Sequence, residues 1–130
     1  MTKEQKWDLA EYRMTNAIKT IAEVDVLVQN RLWNIAVNRL YYACFYAVSA
    51  LLINSDVSTR THAGAIKMLG LHFINKSIIS DEAGSFYTKL FTMRHKGDYE
   101  DFIDYEESDV VDLILPAKNF INQVQELLIK

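Results

Sequence analysis

The stretch from Leu32 to Ile53 constrains this chain most: it is almost wholly apolar and carries Arg39 near its middle. Helical spacing puts Leu40, Cys44, Ala47 and Leu51 on one stripe, and Tyr41, Phe45, Val48 and Leu52 on another. A helix apolar all round is buried in protein or in lipid. Asn34, Asn38 and Arg39 favour protein. An arginine at the centre of a lone span costs roughly 2.5–3.5 kcal/mol even on a lenient scale, and no second span shelters it. The stretch therefore reads as the central core helix of an all-α domain, and no membrane association is expected.

The flanking sequence supplies helices to cover it. Trp7, Ala10, Met14, Ala17, Ile21, Val24 and Val28 recur at three- and four-residue steps, predicting a first helix over about Lys3 to Gln29. Its break is Gln29-Asn30-Arg31. After a polar loop at Asn54 to Thr59, Thr61 is a reasonable N-cap for a short helix over about His62 to Asn75. Ser80, followed by Asp81 and Glu82, caps a helix expected to reach His95 or Lys96, with Gly97 as its stop. A last helix spans about Glu106 to Ile129. Pro116 inside it is expected to kink or split it, because proline removes a hydrogen bond and crowds the preceding turn. With four glycines and one proline in 130 residues, turns are few. The expectation is one domain over residues 1–130: an antiparallel up-and-down bundle of four long helices plus one short one.

Composition narrows the function classes. The net charge of −3 does not advertise nucleic-acid binding. Asp98 to Asp112 holds eight acidic residues and no Lys or Arg, a stretch that would repel phosphate. RNA would have to meet a local basic cluster. Cys44 is the lone cysteine, which fits a reducing compartment. The polar start, Met1 to Lys6, lacks the apolar core of a signal peptide, so a cytoplasmic location is expected. There is no glycine-rich phosphate loop, no paired-histidine spacing, no Cys-x-x-Cys and no calcium-loop pattern. Neither metal nor cofactor is expected.

Three polar groups stand out because burying them is costly. Arg39, beside Asn38, shares a stripe with Ile35, Tyr42, Tyr46 and Ser49. It reads either as a member of an internal ion pair or as a cleft arginine that meets phosphate. Arg94-His95-Lys96-Gly97-Asp98-Tyr99 is the densest basic cluster. It reads either as cations capping a helix C-terminus or as a site in which Arg94 binds phosphate and His95 carries a proton. Asp98 is a salt-bridge partner for Arg39 or Arg94, or is solvated. His62, beside Arg60, reads as a capping residue or a catalyst; His72 offers less.

Asn38-Arg39-Leu40-Tyr41-Tyr42-Ala43-Cys44-Phe45-Tyr46-Ala47 resembles the signature helix of HEPN domains, in the bacterial and archaeal branch with an R-x-Y-Y-A second helix. Thr61-His62 resembles that branch's Ser/Thr-His. Arg94 to Asp98-Tyr99 resembles its R-x-x-x-D-Y ending, and Ala117 with Phe120-Ile121 its last helix. The resemblance implies a homodimeric bundle working beside a small nucleotidyltransferase as a toxin–antitoxin pair. It also implies nucleotide or RNA at the dimer cleft, with Arg39, Tyr42, His62, Arg94, Asp98 and Tyr99 as binding residues. Toxic members cut RNA without metal through an Arg-x(4–6)-His motif. Here the positions five to seven after Arg94 are Tyr99, Glu100 and Asp101. His95 adjoins Arg94, so it points about 100° away on a helix. Catalysis would therefore rest on Arg94 with a displaced histidine, His95 or His62. The alternatives are an active metal-independent ribonuclease toxin and a non-catalytic dimerisation module.

Overall fold

The structure, a computed structural model, describes residues 1–130. Its elements are α1 (Lys3–Gln29), α2 (Trp33–Asn54), α3 (His62–Leu69), a π-helical turn (Gly70–Ile74), α4 (Asp81–Tyr99) and α5 (Glu107–Glu126). There are no strands, and the helices pack as the bundle that the apolar periodicity predicts. α2 lies at its centre, in contact with α1, α3, α4 and α5. Of the residues on its two apolar stripes, all but Phe45 are buried. By length and composition α2 would suit a membrane span, yet 61% of its apolar window is covered by the rest of the protein.

The closest pairing is α1 against α2. α1 buries Ala10, Met14, Ala17, Ile21 and Val24, and the buried residues of α2 include Ala36, Ala43, Ala47 and Ala50. On the other side of α2, Tyr87 of α4 stacks on Tyr41 at 5.9 Å and on Phe120 of α5 at 5.6 Å. That column of rings joins three helices.

The helix starts follow the expected caps. Thr61 accepts from the Gly64 amide and Ser80 from the Ala83 amide. Thr2 and Gln5 add a capping box at the head of α1. The ends use a device the sequence reading did not anticipate. After α1, α2 and the π-helical turn, the chain enters the left-handed region at Arg31, Asp56 and Ser77. Each time the next residue's amide reaches back five residues: Leu32 to Leu27, Val57 to Leu52, Ile78 to Phe73. These are Schellman turns built without glycine.

Three expectations need correction. α4 does not stop at Gly97 but runs on to Tyr99. The missing side chain at Gly97 serves packing instead: a Cβ there would lie 3.0 Å from the Tyr105 ring. Pro116 does not split α5, which is one helix from Glu107 to Glu126. Pro116 and Asp112, whose carbonyl loses its helical partner, are both exposed, which leaves that carbonyl open to solvent rather than sealed in the core. The short helix, expected over about His62 to Asn75, is α-helical only to Leu69 and changes to π geometry at Gly70.

Candidate functional site

The periodicity that buries Tyr87 and Leu90 on α4 also turns Arg94 inward, one helical turn further on. Its side chain is only 7% exposed. Four rings surround the guanidinium: Tyr41 at 4.9 Å, Tyr42 at 5.6 Å, Phe91 at 5.9 Å and Tyr99 at 6.0 Å. Aromatic faces attract a cation, worth about 2 kcal/mol when desolvated, but they satisfy no N–H group. Arg94 Nε has no hydrogen-bond partner. The nearest anion, Asp98 one turn along α4, stands 3.7 Å from Nη1, beyond hydrogen-bond range.

A polar chain runs from Asp98 to Arg39. Asn38 Nδ2 donates to Asp98 Oδ2 at 3.0 Å, and Arg39 Nη1 donates to Asn38 Oδ1 at 3.5 Å. Arg39 is 29% exposed and lies 3.8 Å from Glu23 on α1, with its Nε likewise unpaired. The Tyr42 ring stands between the two cations, 5.5 Å from the Arg39 guanidinium and 5.6 Å from that of Arg94.

Tyr41 links this pair to α3. Its hydroxyl shares a 2.7 Å hydrogen bond with His62 Nδ1. The His62 ring also packs 4.4 Å from Phe45 and 5.6 Å from Tyr42. Burial pushes the Tyr41 phenol up to about 12, against the pull of Arg94. Burial, and then the Arg94 charge, lower His62 below its ordinary value. At neutral pH the pair is a protonated phenol and a neutral imidazole.

Arg39, Tyr42, His62, Arg94 and Asp98 thus converge on one end of the α2–α4 seam. His95 does not join them: it is exposed, and its ring faces Tyr99 at 5.0 Å. Tyr99, 70% exposed, forms the outer wall. The histidine brought towards Arg94 through Tyr41 is His62. Sequence reasoning missed Tyr41, Phe91 and Glu23. A buried tyrosine must find a partner for its hydroxyl, and that requirement was the available signal for Tyr41. The site is a cluster of buried and half-buried side chains rather than a cavity. Two hollows of about 490 and 520 Å³ lie at the other end of α2, sharing Lys6 and Asp56. They hold none of these groups. No cluster of His, Cys, Asp or Glu is arranged to hold a metal.

The HEPN domain model matches residues 10–127. The chain belongs to the HEPN domain family. A UPF0332 protein of Thermotoga maritima is 33% identical over 95% of this HEPN chain and 94% of its own length. A Methanocaldococcus jannaschii protein named "putative toxin" is 34% identical over 86% of this chain and 83% of its own. A second protein of that organism with the same description is 26% identical, over 92% and 81%. In this HEPN chain the ordered motifs of α2, α3 and α4 supply Arg39, His62, Arg94 and Asp98 to one cluster.

Proposed function

We propose that this HEPN chain is the toxin-like component of a two-component module, paired with a small nucleotidyltransferase. In this reading it works as a homodimer and binds nucleotide or RNA at the cleft between subunits. The observation that carries the reading is Arg94: a guanidinium, nearly sealed from water, ringed by aromatic faces and short of hydrogen-bond partners. An under-bonded buried cation is costly to maintain for stability alone. Phosphate matches its fork of donors, and Tyr42 and Tyr99 offer stacking faces for a base. Arg39 supplies a second positive charge at the mouth. The toxin names of the two Methanocaldococcus relatives support the coarser part of the reading.

Co-expression tests it. The chain alone should slow growth of its host, and a small nucleotidyltransferase encoded beside it should co-purify and restore growth. Arg94→Gln should remove the growth defect while leaving the helical content intact. If the chain is harmless and captures no such partner, the reading fails.

A second reading, a metal-independent ribonuclease, is favoured by one observation. His62 is neutral at neutral pH and linked through Tyr41 to Arg94, the state a base needs to accept the 2′-hydroxyl proton. RNA incubated with the protein in chelator should then be cleaved, and His62→Gln should abolish cleavage where His95→Gln does not.

A further inference from the structure

We infer that Asp98 occupies, in the free protein, the anion position that a terminal phosphate takes in the bound one. The inference rests on the nucleotide or RNA reading above and names the phosphate class and the gate of that site.

The argument starts from how poorly Arg94 is served. A guanidinium has five N–H donors. Here Nε has no partner, and Nη1 reaches Asp98 Oδ2 only at 3.7 Å. Both residues sit on α4, four positions apart, so they are neighbours on one face, yet the carboxylate stops short of a hydrogen bond. The same oxygen accepts from Asn38 Nδ2 at 3.0 Å, and Asn38 is in turn bonded by Arg39. Asp98 Oδ2 therefore marks a point on which a buried cation and an amide donor converge, with a second cation behind.

A phosphomonoester fits that point better than the carboxylate does. It carries about −1.5 to −2 charges and three acceptor oxygens, enough for a paired contact to Arg94 and one more for Asn38. Two anions cannot share the position, so Asp98 must leave. It is placed to do so: its side chain is 29% exposed, one residue before the end of α4. Recession selects the kind of phosphate. At 7% exposure, Arg94 favours a phosphate that can enter end-on over an internal phosphodiester, which carries chain on both sides and a single charge. A terminal phosphate, on a mononucleotide or a 5′-phosphorylated RNA end, meets no such obstacle. Tyr99, 6.0 Å from the guanidinium and largely exposed, flanks its path.

The test compares short RNAs identical except for a 5′-phosphate or a 5′-hydroxyl, titrated against the full chain. Wild type should prefer the phosphate. Asp98→Asn, which keeps the shape and removes the competing charge, should strengthen phosphate binding about tenfold or more. The gain should be larger for the phosphate probe than for the hydroxyl probe, and adding Arg94→Gln should erase that difference. Asp98→Glu, whose longer arm brings the carboxylate onto Arg94, should weaken phosphate binding. This second variant keeps Arg94 paired and guards against a folding defect in the first. Equal binding of the two probes, or Asp98→Asn binding no tighter than wild type, overturns the inference while leaving RNA binding at the site intact. Binding of neither probe by any variant overturns the ligand reading of the site as well.

Discussion

His62 shows how a single side chain reports on its surroundings. Burial and the Arg94 charge hold its pKa below the ordinary 6.5. Above pH 6.5 the imidazole is neutral whether the chain is folded or not, and its contribution to stability is complete. As pH falls below 6.5 the unfolded chain takes up a proton that the folded one resists, and stability declines towards the folded pKa. The urea midpoint should therefore drop more between pH 7.5 and 5.5 in wild type than in His62→Gln. Equal drops would mean that His62 titrates freely in the fold. At this scale the sequence was legible where residue type implies a need. Arg39 was visible because a charge among apolar neighbours demands a partner, Arg94 because it belongs to the densest basic cluster, and Asp98 only as a partner that either arginine could take. Which partner was not visible: Glu23 meets Arg39 only because α1 and α2 pack in one register, and that register is a property of two whole surfaces. His95 and His62 could not be ranked without knowing that α4 continues past Gly97 and which way it faces α3.

The elements were legible from periodicity, their ends less so. The glycine-free Schellman turns escaped notice because glycine is the usual marker. Their subtler mark, an apolar pair five apart such as Leu27 and Leu32 or Phe73 and Ile78, blends into helical spacing. A left-handed backbone is costly for a residue with a Cβ, so Ser77→Gly should stabilise the chain by about 0.5–1 kcal/mol in equilibrium denaturation. A loss would mean that the Ser77 side chain has a contact of its own. Both ends of α2 carry an asparagine that acts as a clamp. Asn34 donates to the Ile103 carbonyl at 2.8 Å and accepts from the Tyr105 amide at 2.8 Å. Asn54 holds both backbone groups of Ile129 in the same way. Asn34→Ala should cost about 1–3 kcal/mol by leaving two part-buried backbone groups unpaired. It should also speed amide exchange at Tyr105 more than in α1. Unchanged exchange there would mean that the connection between α4 and α5 holds itself.

For the molecule as a whole, α2 is the common neighbour of the other helices, and the apolar all-round pattern of Leu32 to Ile53 foretold that placement. What the pattern left undetermined was how charge is arranged around it, since apolar spacing carries no information about which polar faces meet. Native-state hydrogen exchange should find the slowest amides in the buried middle of α2, Ala43 to Val48, opening only when the molecule unfolds globally. Faster exchange there than in α5 would contradict a structure centred on α2. The central helix also has a consequence in time. During synthesis α1 precedes α2, and the two form the closest pairing in the protein. They are neighbours in sequence, so they meet early, as contacts of short chain separation do. On that order each later helix is expected to dock on the α1–α2 surface, His62 reaching Tyr41 before α4 delivers Arg94 and Asp98. A ribosome stalled far enough past Asn75 for α2 to have cleared the exit tunnel, but before α4 has emerged, should hold a nascent chain whose α1–α2 hairpin is already protected from protease, while the Tyr41 ring still waits for the guanidinium that will cover it.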